Sequence, residues 1–497
     1  MHEGRCSLAG VLAVLLAGCT VGPHYETPSV PLTDSFKEAT PADYATAGMW
    51  RPAQPSGQVS RGKWWQIFGD PELDTLEDQL TDANQNLKVA AARFAEARAM
   101  IGYQRASEFP TIGVGANASS LQDSNHQPYF LIPNPQPEGE LQLPFDLNYE
   151  VDLWGRIRRT VSAAREEAQA TAADLATASL SLHAELAMDY IELRSADAQQ
   201  RLLDDTVKAY TNALRLTQNR QEGGDAPESD VAQAQTQLDT TRVQNTDIGV
   251  MRAQYEHAIA VLVGEPPAAF SLPPAPLGLL PPTVPPGLPS ELLQRRPDIA
   301  AAERRVAEAN EQIGIARAAY YPSLTLSAES GFEGTSPATW FGWPSLFWAV
   351  GTSLTQQLFD GGRRKAQSEA ARAAYDASVA FYRQTTLTAF QQVEDNLAAL
   401  RILGDEAQQQ REAVESANKS LQLFTNLYLG GEDPYLQVIT AQTVALMNQR
   451  NDVDIQRRRM EASILLVKAL GGGWEVADLP KLEEKGFPRG AIVPLAQ

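Results

Sequence analysis

The sequence predicts a mainly α-helical chain with membrane-type β-strands, built as two internal copies of one plan. Three observations predict it. Shifting the chain by 207 positions lays Gly155-Arg156 on Gly362-Arg363, Asn219 on Asn426, Gly223-Gly224 on Gly430-Gly431, and Ala234-Gln235-Thr236 on Ala441-Gln442-Thr443. One register held this long marks a duplicated structural unit. Second, Arg156 to Glu222 contains no Gly or Pro, and its copy Arg363 to Leu429 contains only Gly404. At 1.5 Å per residue each is a rod of about 100 Å. Third, every odd position from Leu141 to Leu153 is apolar, whereas the even ones are Gln142, Pro144, Asp146, Asn148, Glu150 and Asp152. A period of two gives a strand one apolar and one polar face.

Composition sets the outer limits. The chain has 497 residues, 43% apolar and 21% charged, so wholesale disorder is excluded. With 41 Lys+Arg against 61 Asp+Glu the net charge is −20, which argues against nucleic acid as a partner. Two cysteines, Cys6 and Cys19, and five scattered histidines leave no disulfide scaffold and no zinc spacing. No Gly-x-Ser-x-Gly and no Gly-x-x-x-x-Gly-Lys-Ser/Thr occurs, so neither a hydrolase nor a nucleotide-driven machine is indicated.

In chain order, residues 1–18 read as a signal peptide: Arg5, an apolar stretch from Leu8 to Ala17, and small residues before a cut. Leu16-Ala17-Gly18-Cys19 resembles the lipobox of bacterial lipoproteins. That resemblance implies diacylglycerol on the Cys19 sulfur and an acyl chain on its new amino group. Thr20, in place of Asp, then favours the outer membrane. A plain secretory signal with an incidental Cys is the alternative. Residues 19–72 form an N-terminal segment and 73–264 the first repeat, with strands near 109–121 and 141–154. A Pro-rich linker, 265–289, leads to the second repeat, 290–473, with strands near 322–333 and 347–359, and to a tail, 474–497. Of the four strands, Phe347 to Phe359 alternates least clearly, and Ser330 interrupts the third.

The rods carry narrow stripes at 3/4 spacing, such as Leu182, Leu186, Tyr190 and Leu193, suited to coiled-coil-like seams. Both rods break at Gly-Gly, followed by acids and Pro227 or Pro434, the expected stop signal. Aromatics cluster at the strand ends, including Phe109, Tyr129, Phe130, Trp154, Tyr321, Trp340 and Phe359. Such strands suit an outer-membrane barrel. Four strands cannot close one, and lipid tolerates no open edge, so the barrel must be shared between chains. The other reading of the strands is two soluble hairpins packed on the helices. A polar even face argues for a wet lumen and against a solid periplasmic spacer.

Several motifs together resemble the outer membrane factors, the TolC-like efflux ducts, in the lipoprotein branch typified by OprM and NodT. They are Cys19-Thr20-Val21-Gly22-Pro23 with Tyr25; Trp64-Trp65 with Phe68 and Asp70-Pro71; Arg295-Arg296-Pro297-Asp298-Ile299 with Glu303; Tyr321-Pro322-Ser323-Leu324; and Leu358-Phe359-Asp360-Gly361-Gly362-Arg363. The resemblance implies a homotrimer with a shared twelve-stranded outer-membrane barrel, four strands per chain. A long periplasmic α-helical barrel and an equatorial belt complete it. It implies a passive exit duct for small molecules in a tripartite efflux system, with a periplasmic membrane-fusion adaptor and a proton-driven inner-membrane pump. Export of proteins or peptides is the alternative. The hairpin tips, Gly223-Gly224-Asp225 and Gly430-Gly431-Glu432-Asp433, would then be the adaptor-docking end. Where the family commonly carries an acidic constriction ring, this chain has Gln437 and Thr440. Asp230 stands in the first copy where the second has Gln437. A solvated turn with acids favouring a helix N-terminus is the plainer reading of the tips.

Overall fold

In a computed structural model of the chain, the structure describes residues 20–39, 62–122, 124, 137–278, 281, 282, 284, 287 and 289–482. Cys19, the signal segment, Tyr129, Phe130 and the last fifteen residues lie outside the described residues.

Seven helices carry the fold: α1 (Pro71–Ala83), α2 (Gln85–Arg105), α3 (Arg156–Glu222), α4 (Glu228–Leu262), α5 (Pro297–Ala318), α6 (Arg363–Gly430) and α7 (Tyr435–Ala469). The rods α3 and α6 run 67 and 68 residues. Both start by one device. Gly155 and Gly362 adopt φ 79° and 92°, and neither has a side chain to cap the helix. The caps come from just upstream. The Asp152 carboxylate accepts from the Ile157 and Arg158 N–H groups at 3.1 and 2.9 Å. Asp360 accepts from those of Gly362 and Arg364 at 3.0 and 3.2 Å. These contacts satisfy amides that a helix start leaves open.

The largest apolar cluster lies where α1, α3, α4 and α7 cross. Trp64, Trp65 and Phe68 pack there on Leu73, Leu76 and Leu80 of α1, Leu186 and Tyr190 of α3, Ile259 of α4 and Ile464 of α7. The linker closes over it. Buried Asp197 accepts from Arg252 at 2.7 Å, from Arg194 at 3.1 Å and from the Ala275 N–H at 3.0 Å. The N-terminal segment is a second strap. It starts at the head of α3, where the Val21 N–H donates to the Trp154 carbonyl at 3.1 Å. It ends on α6, where Glu394 accepts from the Lys37 and Glu38 N–H groups at 2.8 and 2.9 Å.

The strands are β1 (Thr111–Val114), β2 (Asn117–Leu121), β3 (Glu138–Val151), β4 (Ser323–Gly334) and β5 (Leu346–Thr355), in one antiparallel sheet. The first expected strand is thus in two pieces. Both pair with β3 in a single register, Thr111 opposite Asn148 and Leu121 opposite Glu138. The break falls where the Gly115 N–H donates to the Pro144 carbonyl at 3.0 Å. Pro144 has no N–H to return, so the ladder lapses there. The last strand stops at Thr355, and Leu358 and Phe359 stand exposed beyond it.

Register also settles the weak alternation of that strand. Leu346, Trp348, Val350 and Leu354 lie opposite Phe332, Ser330, Ala328 and Leu324. Leu143, Leu147, Tyr149 and Val151 continue the same face on β3. The opposite face holds Asp146 beside Glu329, Gln142 beside Glu333, and Asn148 beside Ser327. The sheet therefore has one apolar and one acidic face. Among the described residues β1, β2 and β5 pair on one side only.

Candidate functional site

The two hairpin tips end the rods at the pole opposite the sheet. In the first, the Asp225 N–H donates to the Arg220 carbonyl at 2.8 Å and the Gly224 N–H to that of Gln221 at 3.0 Å. In the second, the Glu432 N–H donates to the Leu427 carbonyl at 3.0 Å and the Gly431 N–H to that of Tyr428 at 3.1 Å. Each is a Schellman stop, which needs one left-handed residue. That residue is the second glycine of each pair, Gly224 at φ 85° and Gly431 at φ 77°. Gly223 is right-handed at φ −74°, and Gly430 is the last residue of its helix. Pro227 and Pro434 then start α4 and α7.

The tips are joined across the repeat by a residue the sequence reading did not single out. The Arg220 guanidinium donates to the carbonyls of Tyr428 and Leu429 at 2.6 and 3.3 Å. It also lies over the Tyr428 ring at 4.6 Å. A cation on the open carbonyls of a helix C-terminus is favourable. The 207-residue shift gave the signal: the counterpart of Arg220 is Leu427. Below it, Tyr210, Leu214, Ala234 and Leu238 of the first copy pack with Tyr428, Tyr435 and Val438 of the second. Burial pushes the Tyr435 hydroxyl up to about 12.

Of the three expected aperture residues, Asp230 sits half-buried in the first turn of α4, with its carboxyl raised by burial against the field of Arg220. Gln437 and Thr440 are exposed on α7, and the Thr440 hydroxyl donates to the Leu436 carbonyl at 2.9 Å. Asp225 and Glu432 are exposed, and Asp433 is half-exposed.

At the other pole, the Trp154 indole donates to the Pro322 carbonyl at 2.8 Å and stacks on Tyr321 at 4.7 Å. Thr20 lies against Gly155, so the strap enters at the junction of sheet and rods. Among the described residues no helix is long and apolar enough to cross a membrane.

The family model described as outer membrane efflux protein matches residues 76–265 and 288–472. The toluene efflux pump outer membrane protein TtgF of Pseudomonas putida is 32% identical over 94% of this chain and 97% of its own length. OprJ of Pseudomonas aeruginosa is 31% identical over 94% of this chain and 95% of its own length. Among solved structures, the outer-membrane channel OprN matches 92% of this chain and all of its own, with TM-score 0.83 and 28% identity. The open-state MtrE channel of Neisseria gonorrhoeae matches 92% of this chain and 99% of its own, with TM-score 0.79 and 27% identity.

Proposed function

The chain belongs to the outer membrane efflux protein family and is an outer-membrane efflux channel; we propose that it works as the passive exit duct of a tripartite pump, assembled from three copies. The sheet carries this reading. Its apolar face fits lipid, its acidic face fits a water-filled lumen, and its two open edges need neighbours. A periplasmic adaptor docks at the tips, and a proton-driven inner-membrane pump supplies the energy. The cargo is small and apolar, of the solvent and antibiotic kind for which the relatives are named. Cys19 carries the lipid anchor. Its neighbour Thr20 at the foot of the sheet supports this, since acyl chains there meet the inner leaflet. The test is a strain lacking the chain. Toluene tolerance and dye efflux should fall and return with the full chain, and Cys19→Ser should lose palmitate label. Unchanged efflux in the deletion, or equal labelling, contradicts the corresponding part.

A further inference from the structure

We infer that the connection between β4 and β5 is an anchor in the acyl layer of the outer leaflet, and not a lid over the pore. This rests on the reading of the sheet's apolar face as lipid-facing, and adds where the connection lies and what it touches.

The connection, residues 335–345, joins the two strands at the end of the sheet away from the rods. Its direction is set by β4. The even positions from Leu324 to Phe332 lie on the apolar face, and Gly334 continues that row opposite Leu141. Gly334 offers no side chain there, and the chain folds back onto the gap. A Cβ on Gly334 would meet the Trp340 Cα at 3.2 Å. The Trp340 indole donates to the Phe332 carbonyl at 3.2 Å. Phe341 stacks on Trp340 at 4.8 Å and meets the Phe332 ring edge-on at 5.9 Å. Since Phe332 belongs to the apolar face, Trp340 and Phe341 lean over that side and not over the acidic one.

The height of the apolar band calls for this layer. On β3 the band runs from Leu141 to Val151, about 34 Å of strand, or about 26 Å of height at a tilt of about 40°. On β5 it runs from Leu346 to Leu354, about 27 Å of strand and about 21 Å of height. Lipid asks for about 25 Å. At the rod end Val151, Leu324 and Leu354 are level in register, so the shortfall of β5 lies at the outer end. Trp340 and Phe341 supply the missing layer.

The connection also meets the condition for leaving water, which is that its backbone be satisfied internally. The Thr339, Gly342 and Ser345 N–H groups donate to the carbonyls of Ser336, Thr339 and Gly342 at 3.3, 3.1 and 3.0 Å. The Ser345 hydroxyl donates to the Thr339 carbonyl at 2.8 Å. No charged residue occurs from Thr335 to Phe359, in a chain that is 21% charged. A loop that gripped phosphate headgroups would carry Lys or Arg. Phe341 and Trp343 are instead 62% and 82% exposed, beyond a Trp348 that is 72% exposed on the apolar face of β5. Aromatic rings of this kind settle at the border of acyl chains and water.

The test places a nitroxide label on Trp343→Cys of the full chain, reconstituted in phosphatidylcholine vesicles. Val350→Cys marks the lipid face and Ala349→Cys the lumen. The unsubstituted chain, carried through the same labelling, measures any signal from Cys19. The label at 343 should be open to oxygen and shielded from a water-soluble nickel chelate, as at 350. Access to the chelate as at 349 overturns the anchor, and so does shielding from both relaxants, which would place the ring against protein. If 350 and 349 behave alike, the assignment of the sheet faces falls, and the anchor with it. A second arm reads the pore. Phe341→Ala combined with Trp343→Ala should leave single-channel conductance unchanged in a planar bilayer. A several-fold rise would put the connection over the pore and overturn the anchor.

Discussion

The Arg220 guanidinium donates at 2.6 Å to the backbone carbonyl of Tyr428, across 208 positions of sequence and from one copy of the repeat to the other. A charged hydrogen bond with ring stacking is worth about 2 kcal/mol, or roughly thirtyfold in a two-state equilibrium. Arg220→Leu, the residue of the second copy, should therefore loosen the tips. The expected result is higher single-channel conductance in a planar bilayer with unchanged assembly. Conductance equal to the unsubstituted channel would show that the contact does not hold the tips together.

The tip glycines separate by backbone. Gly224→Ala and Gly431→Ala force a side chain into positive φ and should each cost about 1 kcal/mol of stability. Gly223→Trp and Gly430→Trp meet no such strain, because a Cβ there sits 3.5 Å from the Asn219 carbonyl or 3.9 Å from Glu432. Assembly should survive both Trp variants while efflux falls, if a partner docks on this surface. Efflux at normal level in both would remove the docking role.

Glu77 and His183 form a buried pair, Nδ1 to Oε2 at 2.5 Å, with Trp65 stacked on the imidazole at 4.3 Å. Burial raises Glu77 from 4.5 to about 10 and lowers His183 from 6.5 to about 4. Together the folded pair keeps one proton from about pH 4 to about pH 10, whereas the unfolded chain loses its second near 6.5. Above that point the folded state binds more protons, so the pair's contribution is present below about 6.5 and is lost as pH rises toward 10. Glu77→Gln leaves only the depressed imidazole, whose contribution is instead lost as pH falls from 6.5 to about 4. Thermal unfolding against pH should show that change of sign. A parallel alkaline decline in both proteins would assign it elsewhere.

Register predicts opposite outcomes at adjacent strand positions. Val350 lies on the apolar face and Ala349, opposite Glu329, on the acidic one. Val350→Arg should cost about 2–4 kcal/mol at membrane depth, while Ala349→Arg finds water and carboxylates. Outer-membrane levels of the heat-modifiable oligomer should fall for the first and hold for the second. Equal loss would contradict the assignment of faces.

The rods were legible because a long stretch without Gly or Pro, ended by Gly-Gly and Pro, admits little but a helix. The first strand's break was not, since its cause, Pro144, lies on the partner strand. The apolar face of β5 was hidden by Phe347 and Thr352, and only pairing with β4 restores it. At the tips the turn was legible and the latch was not. Arg220 reads as an ordinary surface arginine until the second rod is laid beside it, and only its mismatch with Leu427 marks it. The aperture residues could be aligned by the repeat, which lays Asp230 on Gln437.

No single chain can close the membrane barrel. The mass of the full-length protein, extracted from the outer membrane in mild detergent, tests it directly. Three copies per particle is the predicted result. A stable single-chain particle, with its four-strand-wide sheet intact in the micelle, would contradict it.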